Sequence, residues 1–340
     1  MLRLPSFQVA NPRSVSEAVA LLAEHGDKAM LLAGGTDLVP NMKHELFTPD
    51  IVVSLGQIEE LRGVRTEDDG TLVIGATTTI DAVAHDATVR AHAPALSQAT
   101  SLIAGPQLRR MGTLGGNVML DTRCQWYNQT HFWRSALGYC LKKDGTVCHV
   151  IAGAQKCVAA ASNDSAPVLM TLGASIVFQG PAGRREIPID DLWHSDGIWN
   201  KKAAKDELLT EVRIPPQAPG HRGAYGKLRD RNSIDFPLLG LAVRLDLGAD
   251  GTVEDADVCA VALAARPTRI KRMAELLSGT KPGQVSFDDA VERCAAQAYR
   301  QCRPLPNVPG DHEYRREMVP VYLRRTLRAA ADGTGPVHCI

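Results

Sequence analysis

The chain has 340 residues, 44% of them hydrophobic and 22% charged, and 38 basic residues balance 38 acidic ones. That length exceeds one ordinary core and predicts two or three domains. The balanced charge shows no basic stripe for nucleic acid. No basic amphipathic helix, and no run near the ~18 apolar residues of a membrane span, points to a bilayer. Met1-Leu2-Arg3-Leu4-Pro5 lacks the apolar core of a signal peptide, so a cytoplasmic location is expected.

Ser14-Val15-Ser16-Glu17 reads as a capping box opening a helix over 14–26, with Gly26 as its stop. Short apolar strands are predicted over 29–33, 51–55 and 71–75. A helical stretch over 80–103 follows, interrupted at Pro94. Further on come a helix over 167–172, a strand over 174–178, a hairpin turn at Pro181-Ala182-Gly183 and a strand over 208–214. Pro215-Pro216-Gln217-Ala218-Pro219-Gly220 is the strongest linker signal. Beyond it, strands over 243–247 and 258–263 flank the turn Gly248-Ala249-Asp250-Gly251, and helices are expected over 267–278, 287–302 and 311–330. The parse is an N-terminal α+β region to about residue 217 and a C-terminal α+β domain from about residue 221.

Two glycine-rich turns stand out: Gly34-Gly35-Thr36-Asp37 and Gly112-Thr113-Leu114-Gly115-Gly116-Asn117. Glycine lets a backbone approach a ligand closely, and successive N–H groups can cradle a pyrophosphate. An ordinary strand–turn–helix corner explains the first turn equally well. The second does not follow G-x-G-x-x-G, so a Rossmann reading is weak. Two such turns about 80 residues apart fit one extended ligand held between two lobes.

Cys124, Cys140, Cys148 and Cys157 lie within 34 residues, spaced Cys-x15-Cys-x7-Cys-x8-Cys. No C-x-x-C is present, and ferredoxin spacings do not apply. An iron–sulfur cluster, a structural zinc and buried thiols all remain open on this spacing. Trp126, Tyr127, Phe132, Trp133 and Tyr139 would shield a cluster in the same segment. His131 and His149 are expected to be solvent-facing or second to the thiolates. Cys259, Cys294, Cys302 and Cys339 are isolated and read as core or surface thiols. The chain lacks G-x-S-x-G, H-E-x-x-H and a phosphate-binding P-loop, so it offers no group for substrate chemistry.

Leu31-Leu32-Ala33-Gly34-Gly35-Thr36-Asp37-Leu38 resembles the first FAD loop of flavoprotein subunits of the xanthine dehydrogenase, or molybdenum hydroxylase, family. Residues 103–117 resemble their second loop. Ser162-Asn163-Asp164-Ser165-Ala166-Pro167 is similar to a segment whose aspartate contacts FAD. Glu207-Leu208-Leu209-Thr210-Glu211-Val212-Arg213-Ile214-Pro215 resembles the last strand of the FAD domain, and Tyr225-Gly226-Lys227 with Arg231 an element reaching back to the flavin. The resemblance implies an α+β fold with a two-lobed FAD-binding domain of the PCMH (vanillyl-alcohol-oxidase) type. A C-terminal domain as in CO dehydrogenase flavoproteins would follow. Its boundaries would be 1–217, with lobes at about 1–57 and 58–217, and 221–335.

For FAD, it implies that residues Leu31, Leu32, Ala33, Gly34, Gly35, Thr36, Asp37 and Leu38 bind the diphosphate and ribityl. Ile103 would pack near the flavin ring, and Thr113, Gly116 and Asn117 would hold the diphosphate side. Asp164, Leu209 and Lys227 would complete the pocket. Without the family, Asp164 reads as a helix N-cap and Lys227 as a surface charge.

The insertion 121–158 departs from most members and resembles the flavoprotein subunits of the 4-hydroxybenzoyl-CoA reductase group, which add a [4Fe-4S] cluster to FAD. Cluster-bearing flavoprotein subunits of bacterial aldehyde oxidoreductases are the nearest rival. Cys124, Cys140, Cys148 and Cys157 would be the cluster ligands. The implied partners are a molybdenum-cofactor large subunit, a [2Fe-2S] small subunit and reduced ferredoxin as donor, in a dimer of heterotrimers.

Overall fold

The computed structural model describes residues 2–338; Cys339 therefore lies outside the described residues. In the first lobe, strands Gln8–Ala10, Ile51–Ser54 and Ala29–Leu32 form a parallel sheet with Ile51–Ser54 in the middle. Helix Val15–His25 buries Ala18, Val19 and Leu22 beneath it. The Ser14 hydroxyl accepts the Glu17 N–H at 3.2 Å, and Glu17 accepts the Arg13 N–H at 2.7 Å, one residue earlier than a capping box requires. Gly26 ends the helix at φ 53°, a conformation that favours glycine.

The second lobe is a five-stranded antiparallel sheet in the order Val64–Thr66, Leu72–Gly75, Leu208–Ile214, Ser175–Gly180, Gly183–Pro188. The expected hairpin is present: Gly180 pairs with Gly183 across Pro181-Ala182. The stretch predicted as one interrupted helix over 80–103 is three helices: Ile80–His85, Ala87–His92 and Pro94–Ser101. Asp86 caps the second by accepting the Val89 N–H at 2.9 Å. Pro94 opens the third, because a first-turn residue needs no N–H partner.

The C-terminal sheet runs Thr268–Arg269, Val253–Val261, Leu239–Leu247, His221–Leu228, Val337–His338. Helices Val285–Gln301 and His312–Ala331 cover one face. Both long strands begin four or five residues earlier than their apolar runs suggest. Gly240 leaves the room that Tyr225 and Val261 fill, which lets Leu239–Leu247 start there. The helix expected over 267–278 is only Met273–Leu277. Thr268–Arg269 instead pairs with Cys259 and Ala260, and Arg269 is held in a two-pronged ion pair by Asp190 at 2.8 and 2.9 Å.

The linker does not separate two independent cores. Helix Ser165–Thr171 is buried along its length, and its cluster includes Tyr225, Ala242 and Cys259 from the C-terminal sheet. Cys259, Cys294 and Cys302 are all buried core thiols. No helix among the described residues is long and apolar enough to cross a membrane.

Candidate functional site

The two glycine turns meet. A methyl group on Gly34 would land on the carbonyl oxygen of Met111, with the Gly112 Cα 2.9 Å away. Only a residue without a side chain lets these two backbones touch. Gly112 faces the Thr36 hydroxyl, and a Cβ there would sit 3.3 Å from it. Gly35 adopts φ 71°, turning the chain from strand Ala29–Leu32 into helix Leu38–Lys43. Leu31, Leu32, Ala33, Thr36 and Asp37 remain half-buried along this rim, while Leu38 is buried under it.

The second turn opens helix Leu114–Val118. Thr113 caps it, accepting the Gly116 N–H at 3.1 Å. Gly115 lies against Ala76 and the Leu209 side chain, which a Cβ would approach to 2.7 and 3.0 Å. Asn117 accepts the Ser165 hydroxyl and N–H at 2.6 and 3.2 Å, tying this turn to the central helix. Ile103 is half-buried, and the next residue, Ala104, takes φ 47°. Loop 230–236 of the C-terminal domain closes over this segment, with Ser233 and Ile234 packed against Gly105.

Asp164 occupies the N-cap position of helix Ser165–Thr171, as isolated reading suggests, but Lys227 is not a surface charge. The Asp164 side chain caps no helix; it accepts the Tyr225 hydroxyl at 2.7 Å and the Lys227 ammonium at 3.1 Å. Lys227 is fully buried and also donates to the Leu102 and Asp235 carbonyls at 3.0 and 3.2 Å. Burial pushes the Asp164 carboxyl up and the Lys227 amine down, against the pull of each on the other. Desolvation therefore outweighs the mutual attraction, and the remaining hydrogen bonds hold the pair in place. Arg231 stays on the loop surface, donating to the Ile234 carbonyl at 2.7 Å.

The four cysteines of the insertion line one small cavity of about 20 Å³, with Trp126, Tyr127 and His149. Cys124, Cys140 and Cys157 are buried and Cys148 is partly exposed. Burial pushes the Cys124 and Cys157 thiols up to about 11. Neighbouring thiols add to this: Cys157 and Cys140 act on Cys124, and Cys140 and Cys148 on Cys157. The Trp126 and Tyr127 N–H groups offset it at Cys124, and the Ala159 N–H donates to the Cys157 sulfur at 3.4 Å. Among the described residues, no group of three or more Cys, His, Asp or Glu side chains is arranged to hold a metal ion.

His149 lines the cavity, stacked near Trp126 at 5.4 Å and bonded to the Tyr139 carbonyl at 2.6 Å. His131 lies farther out, against the Tyr139 hydroxyl at 3.3 Å. His149 thus shares the cavity with the four cysteines, whereas His131 is exposed outside its lining.

The sequence reading missed the charged residues that fasten this insertion. Arg123 precedes Cys124, pairs with Asp37 of the first glycine turn and lies 4.8 Å over the Phe236 ring. Arg134 is 1% exposed and donates to the His44 and Glu45 carbonyls at 3.0 Å each. Lys142 is buried against Asp121 at 2.9 Å and the Gly197 carbonyl at 2.5 Å. A charged residue next to a cysteine was the available signal, but nothing in the spacing says which of these charges is buried.

The two glycine turns thus touch across the two lobes, with a loop of the C-terminal α+β domain packed against the segment between them. Residues 5–217 match the family model "FAD binding domain in molybdopterin dehydrogenase", and residues 223–330 match "CO dehydrogenase flavoprotein C-terminal domain". The chain belongs to the FAD-binding subunits of the molybdenum hydroxylase family, of the CO dehydrogenase medium-chain type. The carbon monoxide dehydrogenase medium chain of Hydrogenophaga pseudoflava is 31% identical over 329 residues, covering 96% of this chain and 97% of that protein. The xanthine dehydrogenase FAD-binding subunit of Escherichia coli O157:H7 is 26% identical over 323 residues, covering 95% of each. Among solved structures, a cyanide-inactivated Cu,Mo-CO dehydrogenase chain is 30% identical with a TM-score of 0.79, covering 98% of this chain and 100% of that one. The chain is thus an FAD flavoprotein and an oxidoreductase subunit, as its motifs imply.

Proposed function

We propose that this chain is the FAD- and [4Fe-4S]-carrying electron-transfer subunit of a molybdenum-containing 4-hydroxybenzoyl-CoA reductase. The complex would take two electrons and two protons per turnover and convert 4-hydroxybenzoyl-CoA to benzoyl-CoA and water. Reduced ferredoxin supplies the electrons, and the chain relays them towards a [2Fe-2S] small subunit and a molybdenum large subunit. The observation that carries the reading is the convergence of four insertion thiols on one shielded cavity, with backbone N–H groups aimed at two of the sulfurs.

Four thiols are the donor type a cluster takes, although among the described residues they are not arranged to hold a metal ion. Thiolates are the ligands of a cluster, and N–H···S bonds with aromatic shielding tune its potential. Metal binding also removes the thiol protons that burial otherwise retains. The glycine turns suit FAD: Gly34 against Met111, and Gly115 against Ala76 and Leu209, let the two turns pack backbone to backbone, and successive N–H groups of such turns can cradle a diphosphate. In this reading residues 31–38 hold the diphosphate and ribityl, Thr113, Gly116 and Asn117 the diphosphate side, and Ile103 the ring. Leu209 packs the wall, and Asp164 with Lys227 fixes the pocket floor through Tyr225. When bound, the two cofactors supply one-electron exchange and its pairing into two-electron transfer. The Lys142 ammonium places a positive charge beside Cys157, favouring its thiolate.

The domain parse, 1–217 and 221–335 with the cysteine insertion at 121–158, belongs to this reading; family matches that stop at 217 and resume at 223 support it. The test is ferredoxin-dependent turnover of 4-hydroxybenzoyl-CoA by the reconstituted complex with wild-type or Cys140→Ser subunit. The reading expects turnover with the wild type and its loss in the variant. Full turnover by the variant would contradict it, and oxidation of aromatic aldehydes with no dehydroxylation would favour the aldehyde-oxidising alternative.

A further inference from the structure

Helix Leu38–Lys43 begins at the first glycine turn and is gripped at both ends by the cysteine insertion. At its start, Arg123 pairs with Asp37 and donates to the Asn41 side chain at 3.3 Å, while Asn41 itself bonds Asp37 at 3.2 Å. At its end, Arg134 donates to the His44 and Glu45 carbonyls at 3.0 Å each. Those carbonyls face the negative end of the helix, where a cation is favoured. Just beyond, Leu46 joins the apolar cluster that contains Cys124, Cys140 and Cys157. Both guanidinium groups are buried, so each holds one geometry rather than sampling many.

We propose that Arg123 and Arg134 are positioning residues that make this helix a shared wall of both cofactor sites, so that metal loading of the cysteines and FAD affinity are reciprocally coupled. The inference rests on the two-cofactor reading above. Ordering of the insertion around a metal fixes the two arginines. They in turn fix Asp37 and the glycine turn in the conformation that FAD requires. By linkage, FAD then strengthens retention of the metal by the same factor.

The test uses the full-length subunit. FAD affinity is measured by flavin fluorescence on deflavinated protein, once with its iron and once after chelation, with iron per chain determined on the same samples. The expected result is FAD binding about tenfold weaker without iron, the scale of an ordinary coupling between sites. Arg134→Met should reduce that difference to less than about twofold, and Arg134→Lys should retain part of it. A purely structural role would lower both affinities and leave their ratio unchanged, which would overturn the proposal. So would equal FAD affinity with and without iron in the wild-type protein, a comparison that needs no variant to fold. Absence of iron from the purified subunit would instead overturn the two-cofactor reading itself.

Discussion

The flavin cleft and the cysteine pocket lie on either side of one short helix but are built by opposite means. The cleft is made of backbone: Gly34 on Met111, Gly115 on Ala76, and a helix capped by Thr113. The pocket is made of side chains on irregular chain, with seven residues of helix, His131–Leu137, in the stretch between Cys124 and Cys157. A backbone site depends on what glycine omits, so single methyl groups should destroy it. A side-chain site depends on the groups present and on the buried charges that hold the loop.

Gly34→Ala sharpens this contrast most. The added methyl collides with the Met111 carbonyl, a clash no side-chain rotation can relieve. The purified variant should carry less than about a tenth of the wild-type FAD and, through the coupling, give up iron to a chelator more readily than the wild type, read by flavin absorbance and iron assay.

Lys227→Met tests whether a buried charge pair also supports the cleft. It leaves Asp164 buried without its cation and should cost about 3–5 kcal/mol in chemical denaturation. Burial already raises the Asp164 pKa, and losing Lys227 raises it further. The folded variant then holds a proton that the unfolded chain releases above the ordinary carboxylate range. Stability should therefore fall as pH rises, and the deficit should be smallest in acid. A deficit constant with pH would mean that the lost contact is packing and not charge.

Lys201 lies on the boundary between the two sites, donating to the Leu120 carbonyl at 2.8 Å and to Asn200 at 2.5 Å. Burial lowers its pKa to about 7. Between that value and the ordinary lysine value, the unfolded chain binds the extra proton. Wild-type stability should thus gain about 2 kcal/mol from pH 7 to pH 9 through this residue. Lys201→Met should remove that slope, as measured by denaturation across the range.

Ser14→Ala is the control with the smallest effect. It removes the cap of helix Val15–His25, whose cluster meets the first glycine turn only through Leu31 and Ala33, and should cost about 1 kcal/mol without changing FAD or iron content. A change in either content would mean that the first lobe transmits more than local stability.

Both sites were visible in the sequence, but to different depths. Glycine has few reasons to cluster, so two glycine turns pointed to the cleft, and the strands before and after them fell within a residue or two of their predicted ends. Strand His221–Leu228 was not seen, because His-Arg-Gly-Ala-Tyr-Gly-Lys-Leu has no apolar alternation. Lys227 sits in the core only because Asp164, 63 residues away, meets it there. Arg123 and Arg134 were hidden for the same reason: their partners Asp37, His44 and Glu45 lie 86 or more residues away in sequence. Local pattern exposes backbone requirements and clustered cysteines, whereas charges buried by distant partners emerge only from the fold.

The most direct test of the account is the iron, acid-labile sulfide, zinc and flavin content of the anaerobically purified subunit. The account predicts about four iron and four sulfide per FAD. Flavin with zinc and no sulfide would contradict it, leaving the insertion a structural clamp with no part in electron transfer.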